Sequence, residues 1–249
     1  AFARADYPLR EYNVLLWERD FGNYSHIFLK TFADPDSEIA VNPLAAGGFS
    51  QEPVAAHFPT NGALLIVWQS DQPGNFDLYS ILYVNGEFRH YQQITTHPSD
   101  DLHPDLVGNS LVWQRDSTIL HSHYTLTDSA WSAPEVLDSG SCANPTISRG
   151  AVAYQKRVGD DFSIYRRTQT SGGVWNPPQL VSPDGDSRLP SFSKGLPLSL
   201  IWQHRDTTDW NIMNLSEAAM QPQLFIFSSA DEIRPRAVEP SIISESDFF

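Results

Sequence analysis

The stretch LLIVWQSDQPGNFDLY, residues 64–79, decides the fold of this chain because four related stretches occur elsewhere in it. An apolar run ends in Trp68-Gln69, a polar turn with a glycine follows, and a second run ends in Tyr79. The related stretches are VLLWERDFGNYSHIF, SLVWQRDSTILHSHY, AVAYQKRVGDDFSIY and SLIWQHRDTTDWNIM. All five align without an insertion or a deletion, so the chain is built from a repeated unit.

Three columns of the alignment carry the repeat. An aromatic anchor ends each apolar run, at successive separations of 51, 45, 41 and 48 residues: Trp17, Trp68, Trp113, Tyr154 and Trp202. The residue after the anchor is an amide or a carboxylate: Glu18, Gln69, Gln114, Gln155 and Gln203. A large apolar residue stands eleven positions after the anchor: Phe28, Tyr79, Tyr124, Tyr165 and Met213. A repeat of this length fits a unit of a few strands.

Each unit is predicted to contain four strands. The continuously apolar run is typical of a strand that is buried on both faces, and the turn after it reverses the chain. An outer strand follows in several units, as in WSAPEVL and WNPPQLV. An inner strand precedes four of the anchors and is marked by a proline: Pro53, Pro104, Pro145 and Pro190. The sequence therefore predicts four-stranded antiparallel sheets.

The missing inner strand predicts how the array closes. Trp17 has no proline segment before it, but a matching segment, EIRPRAV with Pro235, lies near the C-terminus. A C-terminal strand that completes the N-terminal sheet is the closure device of a β-propeller. We therefore predict an all-β fold, a five-bladed β-propeller forming a single domain over residues 1–249. The predicted blades are 231–240 with 11–48, 49–98, 99–139, 140–184 and 185–230.

The pattern resembles the TolB-like and sialidase-like bacterial β-propeller repeats. The resemblance rests on the hairpin motif of residues 67–79, on the outer strands that begin at Trp131 and Trp175, and on the Asp before the inner strands: Asp100, Asp186 and Asp231. It covers nearly the whole chain and implies a fold rather than an activity. No intact S-x-D-x-G-x-x-W motif is present.

Charge and composition exclude several classes of function. The chain has 30 acidic and 16 basic residues, a net charge of −14, which argues against a nucleic-acid partner. Cys142 is the only cysteine, so an internal disulfide cannot form. No apolar run has the roughly 18 residues of a membrane helix. The opening Ala1-Phe2-Ala3 resembles the remnant of a cleaved export signal, and we expect a secreted, periplasmic or cell-surface bacterial protein.

The mouth of the predicted central channel is the main candidate site. The alignment columns that fall there hold residues of different chemistry in each repeat, although the rest of the repeat is regular. The residues just before the prolines are Glu52, His103, Asn144, Leu189 and Arg234. With Asp101 and Arg188 nearby, we predict a binding site for a small polar ligand formed by Glu52, Asp101, His103, Asn144, Arg188 and Arg234. An ordinary solvated funnel with mutually paired charges is the alternative.

The other polar columns favour structural roles. Asp20, Asp71 and Asp116 in the hairpins are expected to stabilise turns, since Arg157 and Arg205 replace them in the last two repeats. The Gln column is expected to form hydrogen bonds between blades. His121 and His123 alternate on a strand but lack a visible third ligand, so we predict neither a metal nor another cofactor.

Three functions remain open from the sequence. The first is a non-catalytic binding propeller that recognises a glycan or a protein at one face. The second is a glycoside hydrolase with two channel carboxylates, Glu52 with Asp101 or Glu232. The third is a structural module of a larger surface protein. Trp131 and Trp175 could stack on sugars or pack between blades.

Overall fold

A computed structural model shows a chain built of β-strands and turns. It describes residues 2–4, 14–31, 34–42, 47–58, 62–72, 74–194, 198–205, 209–216 and 221–226. These residues contain no helix, and therefore none that could span a membrane. The strands form five antiparallel sheets, one for each repeat.

The sheets follow one another along the chain. Sheet 1 contains β1 (Phe2–Arg4), β2 (Val14–Asp20), β3 (Ser25–Thr31) and β4 (Asp34–Ala40). Sheet 2 contains β5 (Ser50–Phe58), β6 (Ala63–Ser70), β7 (Asp77–Val84) and β8 (Glu87–Gln93). Sheet 3 contains β9 (Asp101–Val107), β10 (Ser110–Arg115), β11 (Thr118–Thr125), β12 (Ala130–Trp131) and β13 (Glu135–Ser139).

The last two sheets have the same strand order. Sheet 4 contains β14 (Cys142–Ser148), β15 (Ala151–Val158), β16 (Asp161–Thr168) and β17 (Gln179–Leu180). Sheet 5 contains β18 (Asp186–Phe192), β19 (Ser199–Arg205), β20 (Trp210–Ser216) and β21 (Gln223–Ile226). The first strands of sheets 2 to 5, here called the inner strands, contact one another from sheet to sheet. The four-stranded antiparallel prediction is confirmed for these sheets, and sheet 3 adds a split outer edge.

The hydrophobic core lies between consecutive sheets. Alternate residues of one strand pack toward the sheet before it and toward the sheet after it. Leu64, Ile66 and Trp68 of β6 pack toward sheet 1, whereas Leu65 and Val67 pack toward sheet 3. All eight residues of β6 are buried. Successive side chains of a strand point to opposite faces, so a strand between two sheets must be apolar on both. This is why the runs before the anchors lack polar alternation.

The anchor and the glutamine after it face different neighbours. Trp113 packs toward sheet 2, Tyr154 toward sheet 3 and Trp202 toward sheet 4, so these anchors face the preceding sheet. The adjacent glutamine must then face the following sheet. Its side-chain oxygen accepts a backbone N–H there in three sheets: Gln69 from His103 at 2.8 Å, Gln114 from Asn144 at 3.1 Å, and Gln155 from Leu189 at 2.9 Å. The predicted inter-blade hydrogen bonds are confirmed at these three junctions.

Each of these N–H groups belongs to a β-bulge. The register of every inner strand shifts at the residue before its proline and at the proline itself. The residue before the proline has a positive φ in all four: 49° at Glu52, 55° at His103, 50° at Asn144 and 51° at Leu189. A non-glycine residue is uncommon in this conformation, and a bulge leaves its extra residue outside the ladder. The glutamine supplies the hydrogen-bond partner that the ladder does not.

Sheet 1 differs from the sequence prediction at its inner edge. The N-terminal strand β1 pairs there with β2, from Phe2 opposite Trp17 to Arg4 opposite Leu15. The segment predicted to occupy this edge, residues 231–240, lies outside the described residues, so closure by the C-terminal strand is not seen. An exposed edge of β2 accepts any extended segment, and β1 is close to it along the chain.

We predict that removing one of these glutamines destabilises the fold. Gln155→Leu leaves the partly buried N–H of Leu189 without its acceptor between sheets 4 and 5, which costs about 1 kcal/mol for the lost hydrogen bond. Gln179→Leu makes the same chemical change at an exposed position and serves as the control. Chemical denaturation measures both variants. Equal unfolding free energies for the two would contradict a stabilising role of the Gln155 hydrogen bond.

Candidate functional site

Glu52 and His103 form the centre of the candidate site. They occupy equivalent bulges in sheets 2 and 3, and Nδ1 of His103 lies 2.9 Å from Oε2 of Glu52. The side chain of Glu52 is 41% exposed and that of His103 is 38% exposed, so the pair is accessible. Hydrogen bonding to Glu52 raises the pKa of His103, and the carboxylate charge adds to this effect against the opposing desolvation. The structure therefore brings two of the predicted site residues together.

The local backbone explains why these side chains can meet. The ring of Pro53 or Pro104 restricts the residue before it, and the bulge holds that residue at positive φ. Gln69 fixes the N–H of His103 from the neighbouring sheet. Sparsely populated conformations persist only where the surroundings determine them, and they cluster at functional sites. The two residues are thus presented by a rigid backbone rather than by a mobile loop.

Asp101 stands two residues before His103 on β9, and its carboxylate is bound by two side chains of sheet 3. Its side chain is 0% exposed, and its Oδ1 accepts hydrogen bonds from Trp113 Nε1 at 2.7 Å and Arg115 Nε at 2.8 Å. Its Oδ2 accepts a third from Arg115 Nη2 at 2.8 Å. The charge of this buried carboxylate is therefore compensated by donors of sheet 3 itself. The prediction that Asp101 contacts a ligand has no support from this geometry.

Arg188 and its neighbours form a second polar cluster at the same end of the inner strands. Its guanidinium pairs with Asp186, with 2.7 Å between Nη2 and Oδ2. It also lies 5.0 Å from the ring centre of Phe162 and 5.5 Å from that of Trp210. Arg205 approaches Trp210 at 4.9 Å. Cations over aromatic faces gain electrostatic energy, so this cluster is ordered although Arg188 stays 38% exposed.

The two remaining predicted site residues differ in what the structure shows. Asn144 occupies the bulge of β14, where its N–H binds Gln114, and it is partly buried. Arg234 lies outside the described residues. Leu189 holds the corresponding bulge of β18, so the series of bulge residues runs from acidic through imidazole and amide to apolar. The side chains at the four bulges therefore differ in chemistry, as the sequence indicated, although the backbone conformation at the bulges is the same.

An ion pair between inner strands is the main polar feature that the sequence analysis missed. Lys194 Nζ lies 2.6 and 2.5 Å from the two carboxylate oxygens of Asp105, and it donates to the carbonyl of Ile147 at 2.8 Å. Thr146 Oγ1 donates to the same carboxylate at 2.8 Å. These contacts link sheets 3, 4 and 5. Lys194 is one of only three lysines in the chain, and this rarity is the sequence feature that could have indicated a specific role for it.

The hairpin aspartates show structural contacts. Asp20 Oδ1 accepts the N–H of Gly22 at 2.7 Å, two residues ahead, which is an Asx turn. Asp71 Oδ1 accepts the N–H of Phe49 at 2.5 Å and so ties the hairpin to the strand before it. Asp77 is buried against Thr95, and desolvation raises its pKa. Asp20 therefore stabilises its turn, as predicted, whereas Asp71 and Asp77 bind other segments of the scaffold.

Two other candidate groups pack within or between sheets. His121 is buried edge-on against Trp175, with ring centres 5.3 Å apart, whereas His123 is exposed. Trp131 packs on Tyr124 and donates its Nε1–H to Ser80 of sheet 2 at 3.0 Å. Trp175 is buried and Trp131 is partly buried, so both contribute to packing in the scaffold. Within the residues described above, no group of three or more His, Cys, Asp or Glu side chains is placed to hold a metal ion.

Cys142 is a buried thiol rather than an exposed nucleophile. Burial raises its pKa to about 12, and the nearby Asp138 carboxylate acts in the same direction. Since the thiolate is the reactive form, this side chain is inert at neutral pH. It belongs to the core between sheets 3 and 4.

Comparison with sequence families gives no match. No protein-family model and no curated protein sequence matches this chain. Its relationships are therefore visible only at the level of solved structures.

The structural neighbours are TolB and other β-propeller proteins. TolB from Acinetobacter baumannii matches with a TM-score of 0.53 and 14% identity, covering 90% of this chain and 55% of TolB. A puromycin-hydrolyzing peptidase from Mycobacterium tuberculosis matches with 0.64 and 11%, covering 96% and 40%. An exo-β-1,3-galactanase from Phanerochaete chrysosporium, solved with β-1,3-galactotriose, matches with 0.53 and 10%, covering 90% and 62%.

These likenesses support the propeller fold and leave the function open. The chain spans about two fifths to three fifths of the length of these neighbours. At identities of 10–14%, the match reports a shared architecture. The five sheets fit the five predicted blades.

We predict that Glu52 controls the protonation of His103. Because the contact with Glu52 raises the pKa of His103, Glu52→Gln should lower that pKa. The contribution of the pair to stability is full below the pKa of the unfolded histidine and is lost as the pH rises through the raised folded pKa. A pH titration of the His103 ring protons by NMR measures the shift. Glu87→Gln, at an exposed position, is the control, and an unchanged His103 pKa in Glu52→Gln would contradict the pairing.

Proposed function

We propose that this protein is a non-catalytic binding propeller that recognises a glycan or a protein ligand beside Glu52 and His103. The observation that carries the proposal is the half-exposed pair itself, held at 2.9 Å by two rigid bulges. The pair offers carboxylate oxygens as acceptors and an imidazole whose pKa is raised by the hydrogen bond to Glu52. A ligand with hydroxyl or amide groups can be recognised by such a pair without any movement of the backbone.

The burial of Asp101 and Asp186 counts against the alternative of glycoside hydrolysis. That reaction needs two carboxyl groups about 5–5.5 Å or 6.5–9.5 Å apart on either side of the scissile bond. Asp101 is buried and bound by Arg115 and Trp113, and Asp186 is 3% exposed and paired with Arg188. Because both carboxylates are buried and paired, neither is available to exchange a proton with a substrate. Glu232, the other candidate partner, lies outside the described residues.

The Arg188 cluster supports a ligand of extended polar surface rather than a small ion. Phe162 and Trp210 are partly exposed and lie under the guanidinium groups. Amphipathic faces of this kind are common where proteins bind sugars or other proteins. The proposal includes a secreted, periplasmic or cell-surface location, and the net charge of −14 makes a nucleic-acid ligand unfavourable.

The binding test compares two matched double variants. Labelled protein is applied to an oligosaccharide array and to a peptide array, and the bound features are quantified. Glu52→Gln with His103→Gln should abolish binding, because both recognition groups lose their charge and their mutual contact. Glu87→Gln with His90→Gln makes the same changes at exposed positions of β8 and should leave binding intact.

Each other result points to a different function. Equal binding by both double variants would place the ligand site elsewhere. Release of shortened saccharides by the unaltered protein, lost in Glu52→Gln, would establish hydrolysis instead. Binding to neither array would contradict the proposal and favour a structural module.

We also infer that residues 231–240 complete the ring at sheet 1. Gln203 is the fourth member of the glutamine column and is 7% exposed, buried like Gln69 and Gln155 of the same column. Following the three observed bonds, its acceptor oxygen would bind the N–H of Arg234, the residue before Pro235. Residues 231–240 would then share the edge of β2 on which β1 pairs.

A pair of truncations tests this closure. Deletion of residues 231–249 should lower the melting temperature by several degrees, because it removes a strand and the predicted partner of Gln203. Deletion of residues 241–249 retains Pro235 and should leave the melting temperature nearly unchanged. Circular dichroism follows both melts, and equal melting temperatures for the two truncations would contradict closure by residues 231–240.

A further inference from the structure

A cavity of about 620 Å³ lies between sheets 4 and 5, and its volume falls in the range of small-molecule sites. One wall of the cavity is the edge of the hydrophobic core that these two sheets share: Phe192, Leu200 and Leu215. Glu52 and His103 belong to sheets 2 and 3. The cavity is therefore separate from the binding site proposed above.

A tryptophan closes the corresponding space in the two preceding units. In sheets 3 and 4 the outer segment has a tryptophan three residues before a proline, in WSAPEVL and WNPPQLV. Trp131 donates its Nε1–H to Ser80 of sheet 2 at 3.0 Å. Trp175 packs on His121 of sheet 3, with ring centres 5.3 Å apart. Each tryptophan thus joins its own sheet to the sheet before it.

The fifth repeat has a small residue in place of this tryptophan. The aligned outer segment is AMQPQLF, residues 219–225, in which Ala219 stands three residues before Pro222. Gln221 and Pro222 of this segment line the cavity. Protein interiors are close-packed and contain few spaces larger than a water molecule. A space of this size, where the repeat elsewhere places an indole, indicates a ligand that supplies the aromatic ring.

Arg166 gives the cavity a positive charge. Ile164 of β16 packs toward sheet 5, and Arg166, two residues later, points the same way and lines the cavity. Its Nε is buried without a partner, its two terminal nitrogens are accessible, and no ion pair among the described residues includes it. Arg149, the other lining arginine, has interactions of its own. No Asp or Glu is among the lining residues that the structure describes.

We propose that the cavity between sheets 4 and 5 binds a planar aromatic carboxylate of about the size of indole-3-propionate. The ring takes the place that the outer tryptophan has in sheets 3 and 4, and it lies against the apolar wall. The carboxylate pairs with the terminal nitrogens of Arg166, whose planar fork matches the geometry of a carboxylate. An aromatic amine of the same shape is disfavoured, because its charge has the same sign as that of Arg166. This site is independent of the binding function proposed above.

Two probes with one ring and opposite charges test the ligand class. Indole-3-propionate and tryptamine are titrated against the protein at neutral pH, and saturation-transfer NMR measures their affinities. The carboxylate should bind at least about tenfold more tightly than the amine, since only the carboxylate forms a charge-assisted hydrogen bond with Arg166. Equal affinities would overturn the proposal, as would absence of binding by indole-3-propionate at millimolar concentration.

A matched pair of arginine variants tests the role of Arg166. Arg166→Gln should weaken binding of indole-3-propionate at least about tenfold, because the ligand loses its charged partner. Arg157→Gln makes the same change at an exposed position of β15 and should leave the affinity unchanged. Equal effects of the two substitutions would show that the general charge of the protein attracts the carboxylate, and would overturn the site.

A matched pair of tryptophan variants tests the origin of the cavity in the repeat. Ala219→Trp restores the aromatic residue of the other outer segments and should abolish binding of indole-3-propionate by occupying its place. Ala133→Trp adds the same ring at an exposed position of sheet 3 and should leave binding intact. A thermal melt of each variant confirms that it is folded. Undiminished binding by folded Ala219→Trp would overturn the proposal, and if that variant fails to fold, Arg166→Gln and the two probes decide it.

Discussion

The hydrogen bond from a glutamine side chain to the N–H of a bulge in the next sheet is the constraint on which this structure depends. Hydrophobic packing holds neighbouring sheets together, but packing alone is non-directional and tolerates sliding. The bonds of Gln69, Gln114 and Gln155 each join one sheet to a single residue of the next. They fix the height of the sheets relative to one another, and they satisfy a donor that the bulge removes from the ladder.

The same bond connects the scaffold to the candidate site. Because all four bulge residues have a similar positive φ, the side chain of each is presented in a repeated position whatever its chemistry. Glu52 and His103 meet because they are equivalent residues of adjacent sheets. A regular frame can thus carry one asymmetric site, since the backbone geometry is shared while the side chains differ. Asp101, two residues before His103, and Asp186, three residues before Leu189, are instead paired with Arg115 and Arg188.

The repeat made part of this structure predictable. The anchors and the glutamine column could be assigned from the sequence, because two-faced burial and strand alternation leave a five-fold pattern. The Asp105–Lys194 pair could not, since the residues are 89 positions apart and belong to no shared column. The pairing of β1 also left no signal, because three residues on an open edge need no particular sequence. The pairing of Asp101 with Arg115 could not be predicted either, because it depends on the conformation of the arginine side chain.

Amide hydrogen exchange tests the central role of the glutamine bonds most directly. The N–H groups of His103, Asn144 and Leu189 lie outside the regular ladder, so only the inter-sheet bonds protect them. If those bonds hold the sheets together, the three amides will exchange only through global unfolding, as slowly as the amides of β6 at the centre of the core. Exchange of these amides at the rate of exposed turn residues would contradict the account.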